Sequence, residues 1–404
     1  MINQDFKIPA KFKSVSLALL AIGIVSLLGG IFFYVLKGDT LQQTRFWATL
    51  LQNSIFFLLI CLASVFILAA TSLAQGAWII SLRRIPEAIG SIVWVLATIV
   101  AIVFAIIIGS KNHHIYHWLQ KGYIPDNSLN SLKNFFLSGP FFLIWSGVVL
   151  TLWSFFGIKF RQLSLQQDAA KKGDTKIFWL NFKWSAGFLL LFALSLMSTI
   201  PWLWLMSLDS HWFSTMYSWY TFASSFVSGM SMIMLFVLYT KRQGYLELVN
   251  TEHIHDLGKF MFAFSIFWTY LWFSQFMLIW YANIPEETVY FQPRFHGPYK
   301  FFFWANLIIN FLSPVLILMP APNKRNYFVV SLVAILILLG HWIDFYQMVM
   351  PATVAEHWNI GLFEIGIVCG FIGLIMYLVG NKLTQSPMLP KNHPFLKETV
   401  IHIS

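Results

Sequence analysis

Charge is what this chain has least of. Asp, Glu, Lys and Arg make up 10% of it, against 58% hydrophobic and 18% aromatic residues. That is too little polar surface to cover a water-soluble globule of 404 residues, so the chain belongs in a membrane. Cysteine is almost missing as well. Cys61 and Cys369 lie far apart in apolar runs, which excludes a disulfide framework and a cysteine metal site and leaves two small packing residues. A Walker loop, a dinucleotide fingerprint and a cysteine cluster are all absent, so no nucleotide, iron–sulfur centre or other metal is expected on this chain alone. Only His341 among the histidines falls inside an apolar run; a membrane haem held by two imidazoles across a bundle is therefore not expected either. Basic residues outnumber acidic ones, 26 to 16, for a net charge of +10, yet they are scattered singly and in pairs between apolar runs. Nucleic acid, which needs a continuous basic face, is excluded as a partner. The first apolar run follows Lys7, Lys11 and Lys13 and lacks a small-residue cleavage site; it reads as a retained span and not as a cleaved signal.

What is present is hydrophobic length. Runs of about 20 apolar residues, enough to cross a hydrocarbon core of about 30 Å, recur at Val15–Leu36, Phe46–Leu73, Ile89–Ile108, Phe135–Phe156, Phe178–Met206, Phe213–Tyr239, Phe260–Ala282, Phe301–Met319, Phe328–Phe345 and Ile360–Val379. The prediction is an all-α polytopic membrane protein of ten transmembrane helices. The runs are continuously apolar, which excludes a β-barrel. The second, fifth and sixth exceed the length required, which calls for tilt or extension beyond the bilayer. With a cytoplasmic N-terminus, 19 of the 26 Lys and Arg residues fall inside, and Lys37, Arg45, Lys111, Lys121, Lys133, Arg294 and Lys300 fall outside. That asymmetry is what the positive-inside rule requires. The expectation is a multi-pass protein of the cell inner membrane, a single domain over residues 1–404, with cytoplasmic tails at 1–14 and 381–404. The longest loop, about Gly109–Asn134, lies outside and carries His113, His114 and His117.

Ionisable residues inside a bilayer are costly, so each one calls for a role. His341 and Asp344 share a helical face near the outer end of the ninth helix, and Glu364 lies about 9 Å into the tenth. Two readings stand: a proton relay from the outer surface, or an interfacial polar cluster that caps helix ends. The seventh helix begins TEHIHDLGK, which puts Glu252, His253, His255, Asp256 and Lys259 at the cytoplasmic surface as an inner counterpart. Further along it, Tyr270 and Ser274 share a face, and Trp268, Trp272 and Gln275 form a neighbouring stripe. These polar groups are expected to point into protein and not at lipid. There they bind water or a quinone carbonyl, or else tie helices together. Asn306 and Asn310, four apart on the eighth helix, point to interhelical hydrogen bonds. Pro140, Pro201 and Pro314 sit in or beside spans, where each frees a carbonyl. Trp118, Trp212, Trp280 and Trp358, near span ends, are expected in an interfacial belt.

Three stretches carry a family resemblance: WTYLWFSQFMLIWYANIPEE at Trp268–Glu287, LMSLDSHWFST at Leu205–Thr215, and LGHWIDFYQMVMP at Leu339–Pro351. In this order, and with ten spans around them, the chain resembles the polysulfide reductase NrfD-like membrane subunits of alternative complex III. The likeness is to the second of the two quinone-binding-type subunits and covers nearly the whole chain. It implies two four-helix bundles, helices two to five and six to nine, flanked by helices one and ten. It also implies a respiratory assembly that oxidises menaquinol or ubiquinol and passes electrons to a cytochrome c or directly to a terminal oxidase. The partners implied are an iron–sulfur protein, a multihaem cytochrome c and a sister NrfD-like subunit, within lipid. Iron–sulfur clusters and c-type haems then belong to those partners, and a quinone is the one cofactor this chain could itself meet. The better-supported quinol site lies in the sister subunit, which makes the present chain a structural mate whose polar interior is a proton path. The matched positions are Tyr270, Ser274, Gln275, Asn283, Glu286, Glu287, Asp209, His211, His341 and Asp344. Of these, Asn283, Glu286, Glu287, Asp209 and His211 are expected to dock outer subunits. The chain departs from the pattern at Leu203–Trp204, where relatives often carry an acid before the tryptophan. Two alternatives stay open: a quinol site in this chain itself, and a secondary transporter, which should show two broken helices at corresponding positions of its halves.

Overall fold

The computed structural model describes residues 5–125 and 131–401. The extremities of both predicted tails and part of the long third loop lie outside the described residues. Ten helices are long and apolar enough to cross a membrane: α1 (Ala10–Leu36), α2 (Thr40–Leu73), α3 (Arg84–Gly109), α4 (Gly139–Ala169), α5 (Lys176–Asp209), α6 (Met216–Arg242), α7 (Thr251–Ala282), α8 (Lys300–Leu318), α9 (Tyr327–Thr353) and α10 (Leu362–Leu383). They match the predicted runs one for one, and no strand occurs among the described residues. Several outrun the apolar stretch that specifies them because polar caps set their ends. Asp39 accepts the Gln42 N–H at 2.8 Å ahead of α2, and Asn250 accepts the amides of Glu252 and His253 at 3.0 and 3.1 Å ahead of α7. Each such cap satisfies donors that a first helical turn leaves free. The far end of α7 closes at Asn283, whose φ of 49° is the left-handed turn a short polar side chain tolerates.

Packing sorts the ten into two bundles and a flanking pair. Helices α2 to α5 surround one core and α6 to α9 another; α2 lies against both α6 and α9 and so joins the bundles, while α1 pairs with α10. The central posts are α2 and α6, the most deeply buried of the spans, and α1 is the most exposed. Close approach needs small residues. A Cβ on Gly373 of α10 would come within 2.5 Å of the Leu20 nitrogen and 2.7 Å of the Ser16 carbonyl on α1, so that seam closes only around glycine. The chain's two ends meet on one face, where Asp5 bridges to Pro387; this is called the tail face below, and the opposite one the far face.

Pro201 and Pro314 act as expected and Pro351 joins them, but Pro140 stands in the first turn of α4, where it frees no carbonyl. Pro201 lies in a π-helical stretch of α5, Thr199–Leu205, and Pro314 follows another in α8, Ile308–Leu312. In each the missing N–H interrupts the regular ladder. Beside the first, the Met197 carbonyl, four residues before Pro201, accepts the Ser218 hydroxyl of α6 at 2.8 Å. Pro351 interrupts α9 in the same way, and the Gln347 carbonyl four residues back accepts the buried Arg294 guanidinium at 2.6 Å. Two tryptophans expected in the belt are instead buried. Trp212 stacks on Tyr290 at 4.0 Å between ring centroids, and Trp118 packs on Phe142. Trp280 is exposed, as a belt residue should be.

Candidate functional site

The core of the second bundle closes around one carboxylate. Asp344 of α9 is fully buried and accepts four hydrogen bonds, drawn from the three other helices of its bundle. Tyr220 and Ser224 of α6 donate to Oδ1 and Oδ2, the latter at 2.9 Å. Trp268 of α7 donates its indole N–H to Oδ2 at 3.0 Å, and Asn306 of α8 its amide to Oδ1 at 2.8 Å. Four donors fill the lone-pair sites of a carboxylate, so protein dipoles replace the water that a buried charge would otherwise lose. His341, one turn earlier on α9 and also fully buried, places Nδ1 at 2.9 Å from Ser224 Oγ and 3.5 Å from Asp344 Oδ2. The Ser224 hydroxyl has one proton. If it donates to Asp344 it accepts from His341 Nδ1–H, an assignment made from the network, and this leaves His341 Nε2, which has no partner, as a free acceptor. The connected order is His341, Ser224, Asp344: a base, a hydroxyl and an acid within transfer distance.

Two further layers surround this centre. Asn310 donates to the Asn306 side chain, which orients the amide that reaches Asp344. Toward the far face, a cavity of about 20 Å³ is lined by Tyr220, Gln275, Tyr290, Arg294, Asn306 and Gln347 among others, enough for one water. Gln275 is buried, and its Oε1 has no protein partner. Arg294 closes the chamber from the far-face loop between α7 and α8, its guanidinium over the Tyr290 ring at 3.5 Å. Burial holds the Tyr290 phenol above its ordinary pKa, the Arg294 charge opposing. In the opposite direction α9 presents Ile337, Ala334, Val333 and Val330, and α7 presents Met261 and Leu257, all buried. Among them lie the buried hydroxyls of Ser228 and Ser231 on α6 and Ser265 on α7.

The remaining predicted residues divide. Gln275 points inward as expected, but Tyr270 does not: it is 62% exposed and Ser274 is half-buried. The buried stripe of α7 runs through Ser265, Trp268, Leu271 and Gln275, which turns Tyr270 away from the core. Glu364 is not part of the His341–Asp344 cluster. It pairs with Arg45 of α2 at 2.6 Å and accepts the Gly361 N–H at 2.8 Å, and so caps α10. On the tail face, His253 hydrogen-bonds with Asn250 and, at 3.2 Å, with Thr399; His255 lies 3.7 Å from Glu252, and Asp256 pairs with Lys259 at 2.5 Å. These groups sit about 18 to 22 Å of helix rise from Trp268, and the structure does not bring them to Asp344. Of the docking candidates, Asn283, Glu286 and His211 are exposed, and Asp209 caps the His211 amide at 3.3 Å. Trp212 donates to the Glu287 carbonyl at 3.1 Å and ties the segments around Asp209 and Glu287 together.

No protein-family model matches the chain, and no curated protein matches it significantly. No group of three or more His, Cys, Asp or Glu able to hold a metal occurs among the described residues.

Sequence reasoning missed one whole constellation. At the tail-face end of the first bundle, Glu87, fully buried, pairs with Arg83 at 2.7 Å and Arg84 at 2.8 Å. Arg84 reaches on to Ser164 at 2.9 Å and to Asp168. The C-terminal strap locks over it, with the Lys391 amide donating to Asp168 at 2.8 Å. Burial first, then the Arg83 charge, pushes the His393 imidazole of that strap down to about 3. The available signal was Glu87, an acid three and four residues after two arginines.

Proposed function

We propose that this chain is an integral-membrane subunit of a quinol-oxidising respiratory complex of the alternative complex III kind. It stands beside the quinol-oxidising sister subunit and exchanges protons at Asp344. The observation that supports this reading most is the Asp344 carboxylate itself. A hydrogen-bonded His–Ser–Asp order, buried inside a bundle and adjoining a water-sized chamber, is an arrangement that takes and releases protons. Electron carriers would reside in partner chains docked on the far face, where Asn283, Glu286 and His211 are exposed. With basic residues concentrated on the tail face, that face is cytoplasmic.

The test is mild-detergent purification followed by assay. The chain should bring partner subunits and c-type haem absorbance with it. Asp344→Asn in the assembled complex should lower proton release per quinol oxidised. A solitary colourless chain refutes the assembly, and unchanged proton release in an intact Asp344→Asn complex reduces the cluster to helix packing. The secondary-transporter reading has one observation in its favour, the π-interrupted helices α5 and α8. They occupy the fourth place in one bundle and the third in the other, not matching places.

A further inference from the structure

An opening far larger than the chamber beside Asp344 lies away from it. At the far-face end of the junction between α5 and α6, a groove of about 380 Å³ is lined by Phe136, Leu137, Trp202, Met206 and Phe213, with Lys133 at its edge. That volume lies in the range of small-molecule sites, whereas the chamber near Asp344 holds one water. The π-helical stretch of α5 ends beside the groove, and the next segment, Ser210–Thr215, turns back along it to start α6. Trp202 and Phe213 project outward, 50% and 68% exposed, within a few residues of their span ends. This is the depth at which aromatic rings meet lipid headgroups.

We propose that this groove holds a phospholipid of net negative headgroup, one acyl chain between Trp202 and Phe213 and the phosphate on Lys133. Three observations converge on that occupant. The walls are apolar, so water fills them poorly and an acyl chain fills them well. Among the described residues Lys133 Nζ donates to one group, the Ser210 carbonyl at 2.7 Å, which leaves ammonium donors for a phosphate. The adjoining start of α6 carries no side-chain cap at Thr215, so the positive end of a 27-residue helix adds to the same field. Among the described residues no acidic side chain lines the groove, so they offer the cation of a zwitterionic headgroup no counter-charge. The bound lipid wedges the two bundles at their far-face junction.

The experiment uses the protein in its native assembly, stripped of lipid by detergent and re-exposed to phosphatidylglycerol or phosphatidylcholine, with retained lipid counted by native mass spectrometry. The wild type should keep about one phosphatidylglycerol per chain and prefer it about fivefold, the weight of one lysine at a membrane surface. Lys133→Gln should bring the preference close to unity while weak retention persists. Phe213→Ser, which removes wall and leaves the charge, should lower retention of both lipids alike. Equal retention in all three proteins overturns the proposal. So does a wild type that keeps no lipid, or a cross-link from Phe213→Cys to a partner chain seated in the groove.

Discussion

The two bundles solve the same packing problem with opposite cores. In the first, large aromatics meet at the centre and their few polar atoms pair with single hydroxyls: Trp153 donates to Ser195 and Trp204 to Ser146, each near 2.9 Å. Its charges are kept at the two ends, the Arg83, Arg84, Glu87 and Asp168 network under the C-terminal strap at the tail face and Arg45, paired with Glu364, at the far face. In the second, the indole of Trp268 turns to a carboxylate, and each of the three other helices commits a side chain to it. The lesson is that a buried charge is tolerated where every neighbouring helix supplies a donor, and is otherwise pushed toward the membrane surface.

The largest expected effect comes from exchanging those solutions. Asp344→Leu abandons four buried donors at about 1–3 kcal/mol each, and should abolish the folded protein in detergent. Leu203→Asp in the first bundle, at a fully buried apolar position, should cost about 3 kcal/mol with no donors to receive it. If melting of the purified protein tolerates either change, the contrast between the cores is wrong. Next comes the Pro351 kink. Arg294→Met strips the Gln347 carbonyl of its partner and should lose about 2 kcal/mol, with Pro351→Ala restoring much of it by returning an N–H to that carbonyl. Additive losses in the double variant would break the assignment.

A smaller effect concerns the strap. The His393 pKa lies below the value of a free imidazole, so between about pH 6.5 and 3 the released strap binds a proton that the docked strap refuses. Docking weakens as pH falls through that window, on the order of 1 kcal/mol for a partly exposed group. Protease cleavage of residues 384–400 should therefore accelerate from pH 7 to pH 5, and His393→Gln should flatten the profile. Smallest is Ser218→Ala, which leaves the Met197 carbonyl beside Pro201 and should cost about 1 kcal/mol. A loss matching that of Arg294→Met would erase the difference between neutral and charged partners at the two kinks.

Much of this was legible in advance. Ten apolar runs gave ten helices, and the His341–Asp344 spacing marked the pair that the second core is built around. Asn306 and Asn310 were read as interhelical, and Asn306 proves to bind Asp344. Glu364 caps α10, one of the two readings its position allowed, and the tail-face histidines stand at the end of α7 where the sequence put them; Tyr270 is the residue that turns away from the centre. Spacing along a helix says which residues share a face, but not which way that face turns once the helix is packed. Tyr220, Ser224 and Arg294 carry no local signal at all; a tyrosine, a serine and a loop arginine become partners of Asp344 and Gln347 only through contacts more than 50 residues apart.

The sequence by itself determined the class of molecule, the number of helices and their approximate ends, because a bilayer demands about 20 apolar residues per crossing and leaves no other way to satisfy the backbone. Only tertiary structure decided which polar groups converge. A carboxylate needs donors from several directions at once, and no single helix can point at it from more than one side.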